Sequence, residues 1–172
     1  MGTLRRSGRV EAIAEATPEQ VWAVIADVTR IGEWSHECRG ASWLDGASRA
    51  HPGARFAGRN RLGRTRWSRR SEFIVVDAPR ELEWRTIPTR MFPDSTRWTI
   101  RLEPEGAATR IIQTFEVLKL NPVLDRLFYL LLPPHRDRLP ALTEDLVRLG
   151  RVAASASTVA AGAGQWDLGA AR

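Results

Sequence analysis

Residues 55–77 read RFAGRNRLGRTRWSRRSEFIVVD. Side chains alternate between the two faces of a strand, and period two runs on both sides of Leu62-Gly63. The first run puts Phe56, Gly58 and Asn60 on one face and Arg55, Arg59 and Arg61 on the other. The second puts Thr65, Trp67, Arg69, Ser71, Phe73 and Val75 on one face, and Arg64, Arg66, Ser68, Arg70 and Glu72 on the other. Two such runs across a short glycine turn predict a β-hairpin. A hairpin makes antiparallel neighbours, which argues against a βαβ alternation. The segment 55–70 holds seven arginines and no acid, so it raises a second question. Six of the seven fall on the polar face, where charge is commonplace. Arg69 falls on the apolar face. A buried cation needs a partner, and two remain open: an acid of the chain or an anionic group on a ligand.

The same period extends outward. Residues 39–46 (RGASWLDG) predict a strand ending at the Asp45-Gly46 turn, with Arg39, Ala41 and Trp43 in phase. After the Ala78-Pro79 break, ELEWRTI puts Leu82, Trp84 and Thr86 together. STRWTIRLEPEG and ATRIIQTFEVL predict another hairpin, with Thr96, Trp98, Ile100 and Leu102 on one face and Ile111, Gln113, Phe115 and Val117 on its partner. Residues 9–16 read as a first strand. Between it and the meander, TPEQVWAVIADV carries a helix signature: Thr17 as N-cap, Pro18 at the first helical position and Gln20 completing a capping box. TRIGEW predicts a second helical turn capped by Thr29. Beyond Leu120 the period becomes helical again. Asn121 and Pro122 open a helix, Pro133-Pro134 interrupts it, and Leu139, Leu142, Leu146 and Leu149 recur at helical spacing. The expected fold class is α+β: about seven antiparallel strands, two short helices after the first, and a long C-terminal helix. The domain is expected over 1–153, followed by a small-residue-rich, weakly ordered tail over 154–172.

With 172 residues, 43% hydrophobic and 27% charged, the chain suits one globular domain. Net charge is +6, but Lys119 is the single lysine. So strong a skew to arginine points to codon composition rather than to selected phosphate contacts, so no specific nucleic-acid partner is expected. Cys38 stands alone, excluding an internal disulfide. No Cys/His spacing suits a metal, and no nucleotide-binding fingerprint appears, so no metal and no cofactor are expected. The N-terminus lacks an apolar leader, and Val123–Leu132 is too short and too charged to span a bilayer. A cytoplasmic protein without a transmembrane segment, a monomer or weak homodimer, is expected.

In element order, and in the stretches ATPEQVWAVIADVTRIGEW, WLDG, PGARFAGRNRLGRTRW and STRWTIRLEPEG, the chain resembles the START-like (SRPBCC, helix-grip) superfamily, in its polyketide cyclase/dehydrase-like branch. The resemblance covers roughly residues 8–153. It implies a curved sheet gripping the C-terminal helix, with a cavity between them for lipids, polyketides or other hydrophobic molecules. By position, the cavity residues would be Trp34, Trp43, Asn60, Trp67, Arg69, Trp84, Trp98, Gln113 and, from the terminal helices, Phe128. The inward polar groups Arg39, Asn60, Arg69, Thr96 and Gln113 suit a hollow, partly wet interior better than a solid core, since each unsatisfied one costs about 1–3 kcal/mol.

Catalytic residues are not named by the pattern. His36 neighbours Glu37, but adjacent residues of an extended segment point apart. His51 sits in a turn and His135 follows Pro134. Asn60, Arg69, Gln113 and Tyr129 are polar groups able to assist proton transfer. Three functions fit: binding a hydrophobic or amphipathic small molecule, which is favoured; a cofactor-free cyclase, aromatase or dehydratase in the same cavity; or a basic module for an anionic polymer or membrane surface.

Overall fold

The computed structural model describes residues 4–131 and 137–163, leaving out the side chains of residues 124, 127, 128, 131 and 156–163. Seven strands form one antiparallel sheet: β1 (Ser7–Ala14), β2 (Cys38–Trp43), β3 (Arg55–Leu62), β4 (Thr65–Asp77), β5 (Glu81–Thr86), β6 (Ser95–Glu105) and β7 (Ala108–Lys119). Their order is β1-β7-β6-β5-β4-β3-β2, so the meander runs in sequence order and β1 closes against its last strand. The hairpin that decides the fold forms with Leu62 opposite Thr65. Its two-residue turn is therefore Gly63–Arg64, one position later than the sequence suggests, with Gly63 at φ 57°, a conformation glycine adopts freely.

Helix α1 (Pro18–Ile25) carries the expected capping box: the Gln20 amide donates to the Thr17 hydroxyl and the Thr17 amide to the Gln20 side chain. A 3-10 turn (Val28–Arg30) precedes α2 (Ile31–Trp34). Its cap is Asp27 rather than Thr29, because the carboxylate accepts both the Thr29 amide (2.9 Å) and the Thr29 hydroxyl (2.6 Å). Two helices end the described chain, α3 (Pro122–Leu131) and α4 (Leu139–Ala163). Helix α4 continues ten positions past residue 153; the tail from 164 on lies outside the described residues, as does His135.

α4 lies against the concave face of the sheet. Leu146, Leu149 and Ala153 are fully enclosed there with Ile100, Ile111, Val21 and Val24. Each of these Leu, Ile and Val side chains contributes about 1.5–3 kcal/mol of apolar burial. The approach of α4 to β1 is close: a Cβ added at Gly150 would lie 3.0 Å from the Ala14 Cβ.

The alternation is read correctly along β3, β5, β6 and β7, and it fails at two bulges, where an extra residue inverts everything beyond it. The register of β2 against β3 shifts between Cys38 and Gly40. Arg39 is therefore exposed rather than inward, and Cys38 turns into the interior instead. The register of β4 against β5 shifts between Phe73 and Val75, so Val76, not Val75, stands opposite buried Leu82 and packs on the core.

Candidate ligand-binding site

One half of the concave face is not filled by α4. A cavity of about 420 Å³ opens there, within the range of small-molecule pockets. Its floor is aromatic because three neighbouring strands put large rings in one row. Phe115 faces Trp98 across β7 and β6, and Trp98 faces Trp84 across β6 and β5. The Trp84 and Trp98 rings stack 6.4 Å apart at 11°, and Trp98 meets Phe115 at 5.4 Å. The hairpin β3–β4 supplies one wall with Gly58, Asn60, Trp67 and Arg69. The opposite wall comes from α2, the segment after it and α4, with Trp34, His36, Cys38, Leu142 and Asp145.

Seven of the nine expected site residues line this space: Trp34, Asn60, Trp67, Arg69, Trp84, Trp98 and Gln113. Trp43 does not. It faces Phe56 across β2 and β3 and packs on Phe73 at 6.1 Å, as Phe56 does at 5.1 Å. It therefore completes the core beside the cavity. Phe128 belongs to α3, but its side chain lies outside the described residues.

Arg69 has an acid of the chain as its partner. One terminal nitrogen donates to both Asp94 carboxylate oxygens (2.9 and 3.0 Å), and the other to the Asp94 carbonyl at 3.0 Å. The guanidinium also sits 5.3 Å from the centre of the Phe92 ring, a favourable cation–π placement. Its charge is thus already compensated, and an anionic ligand group is not needed to explain it. The Arg69 Nε–H is left without a hydrogen-bond acceptor.

That orphan has company. Among the described residues three buried side-chain polar atoms lack a hydrogen-bond partner: Arg69 Nε, Trp34 Nε1 and Gln113 Oε1. All three residues line the cavity. Two are donors and one is an acceptor. Elsewhere in the interior such groups find partners, as the Thr109 hydroxyl does by donating to the Ala16 carbonyl at 2.7 Å.

His36 is where the sequence reading misses most. Its acid is not Glu37 but Asp145, 109 residues away on α4. The His36 ring Nδ1 donates to one Asp145 oxygen at 2.7 Å, and the His36 amide donates to the other at 2.8 Å. Arg148 donates both to Asp145 and to the Trp34 carbonyl. The one available signal was Asp145 itself, an acid inside the Leu142–Leu149 stripe. Burial pushes the neighbouring Cys38 thiol above its ordinary range, and its S–H donates to the Gly40 carbonyl. A thiol so placed is a poor nucleophile. No group of metal-ligating side chains forms among the described residues.

Comparison with known proteins agrees with this architecture. The family model for polyketide cyclase/dehydrase and lipid transport proteins matches residues 5–159. The chain belongs to that family. No curated protein matches it. A Thermus thermophilus protein of known crystal structure superposes with a TM-score of 0.65 at 18% identity, covering 88% of this chain and 99% of its own. The Polyketide_cyc-like protein of Corynebacterium glutamicum gives 0.57 at 24%, covering 88% and 93%. The di-domain ARO/CYC StfQ of the steffimycin biosynthetic pathway gives 0.62 at 14%, with 88% of this chain but 46% of StfQ covered. At these identities the likeness establishes the helix-grip fold and no more. Among the described residues no helix is long and apolar enough to cross a membrane.

Proposed function

We propose that the protein binds a hydrophobic or amphipathic small molecule in the cavity between the sheet and α4. The observation that carries this reading is the gathering of all three orphaned buried polar atoms around one aromatic-floored space. An unsatisfied buried polar atom costs about 1–3 kcal/mol, and a solid core would have replaced these groups with apolar ones. A ligand with a flat apolar body for the Trp84–Trp98 floor, an acceptor for Trp34 Nε1 and Arg69 Nε, and a donor for Gln113 Oε1 would satisfy them together. Because Arg69 is already paired with Asp94, a neutral polar group suits the site better than a carboxylate or phosphate.

Native mass spectrometry of the purified protein, set beside an extract of the denatured protein, tests this. A copurifying small molecule of the expected class, lost in Trp34→Phe while the melting temperature holds, supports the reading. An empty native protein that also fails to bind a panel of uncharged aromatic ketones and phenols sinks it.

A further inference from the structure

We propose that His36 is a catalytic base in this cavity, and that the molecule bound there is an enolisable ketone which the protein isomerises by proton transfer. This rests on the cavity being a ligand site and adds a reaction to it.

The argument begins with how firmly His36 is held. Asp145 is 2% exposed, and its carboxylate accepts the His36 ring, the His36 amide and Arg148. Arg148 reaches past it to the carbonyl of Trp34. The Ser35 hydroxyl accepts the Glu37 and Cys38 amides at 3.3 and 3.0 Å. Five consecutive residues, 34–38, are thus tied to α4 or to each other, which is a costly arrangement for an ordinary loop. With a carboxylate accepting at Nδ1, the ring carries its proton there, and the lone pair sits on Nε2. Nε2 makes no hydrogen bond among the described residues, while His36 lines the cavity. A buried acid that orients an imidazole also stabilises the imidazolium once the ring takes a proton.

Among the described residues no hydroxyl or thiol is hydrogen-bonded to His36 Nε2 to complete a triad. The nearby thiol is held protonated by burial, so the proton acceptor acts on the ligand itself. Two residues before His36 stands the unsatisfied Trp34 Nε1–H, a donor suited to an oxygen that gains negative charge. The step balances without any added reactant. His36 Nε2 takes the proton from the carbon beside the ketone, the C–H bond breaks, and its electron pair forms the C=C of an enolate. The negative charge rests on oxygen, facing the Trp34 donor, and the positive charge on the imidazolium facing Asp145. The imidazolium then returns a proton to oxygen, giving the enol isomer, or to the same carbon, giving back the ketone with its hydrogen exchanged, and either route restores the neutral ring.

The test uses 2-tetralone, an uncharged bicyclic ketone, as probe. Catalytic amounts of the intact protein in D2O buffer are followed by NMR for deuterium uptake at the carbon beside the carbonyl. Binding is measured in parallel by quenching of tryptophan fluorescence. The expected result is exchange about a hundredfold above buffer, the usual scale of a positioned base. His36→Gln should fall to the buffer rate while still binding, and imidazole added to His36→Ala should restore exchange beyond what imidazole does alone. A wild-type protein that binds 2-tetralone without accelerating exchange overturns the proposal and leaves the cavity reading intact. So does a His36→Gln protein that exchanges as fast as wild type. Absence of both quenching and exchange overturns the proposal and counts against the cavity reading as well.

Discussion

The concave face of this sheet has two ends, built by one alternating pattern and put to opposite uses. At one end Ile100, Ile111, Leu146 and Leu149 meet with nothing exposed, and the buried Thr109 hydroxyl has its acceptor. At the other end the same strands turn Trp84, Trp98 and Gln113 toward a space that α4 does not fill, and the orphaned polar atoms collect there. Close packing stabilises the first end. The second forgoes that gain, as sites that need specific polar groups commonly do.

If that contrast is right, the largest losses of stability come from the filled end. Leu146→Ala should cost about 2–5 kcal/mol, read from a urea melt. Trp67→Ala removes a larger side chain from the cavity wall and should cost less. The reverse order would mean that the cavity wall carries the fold and the contrast is false. Next in size is the pair that shields the cavity. Asp94→Ala strips the largely buried Arg69 of its carboxylate and should lose about 1.5–3 kcal/mol. Arg69→Met in the same background should recover part of that, because the penalty lies in the unpaired charge. Smaller again is Gln113→Leu, expected within about 1 kcal/mol of wild type, neutral or stabilising, since it removes an unsatisfied acceptor. A loss above about 2 kcal/mol would show that Gln113 holds the core rather than serving the cavity.

Most of this fold is legible in the sequence because it is written in two periods. The alternation through Thr96, Trp98, Ile100 and Leu102, and through Ile111, Gln113, Phe115 and Val117, names the inward side chains without reference to any other part of the chain. Thr17, Pro18 and Gln20 announce α1 in the same local way. What escapes is of two kinds. A bulge adds one residue and carries no residue signature, so Arg39 and Val75 are misplaced while their neighbours are not. The other kind is long-range. Nothing near Arg69 in sequence points to Asp94, and nothing near His36 points to Asp145, because those pairings exist only once α4 lies across the sheet and the loop before β6 folds back. The site's residue types are therefore readable, while its chemistry depends on partners that the fold supplies.

The contrast also extends to the outer face, where it can be tested most finely. Behind the filled end the outer charges alternate across strands: Arg101 meets Glu81 at 2.8 Å, and Arg110 meets Glu105 at 2.8 Å and Glu11 at 3.2 Å. At the hollow end, on the hairpin β3–β4, Arg61 stands directly opposite Arg66, which also borders the cavity. Both are exposed, and like charges in that register repel. Arg66→Glu keeps the bond from Arg61 Nε to the Gly63 carbonyl and turns the repulsion into an attraction. It should raise stability by about 0.2–1 kcal/mol, with the gain fading as salt screens the pair. A gain that survives high salt would point to altered turn geometry instead. Should the variant also lose retention on heparin resin while ligand binding is unchanged, the arginines would have a polyanion-facing role independent of the cavity. Unchanged retention would leave them as charges on a solvated face, and the function of this protein would lie wholly on the inner one.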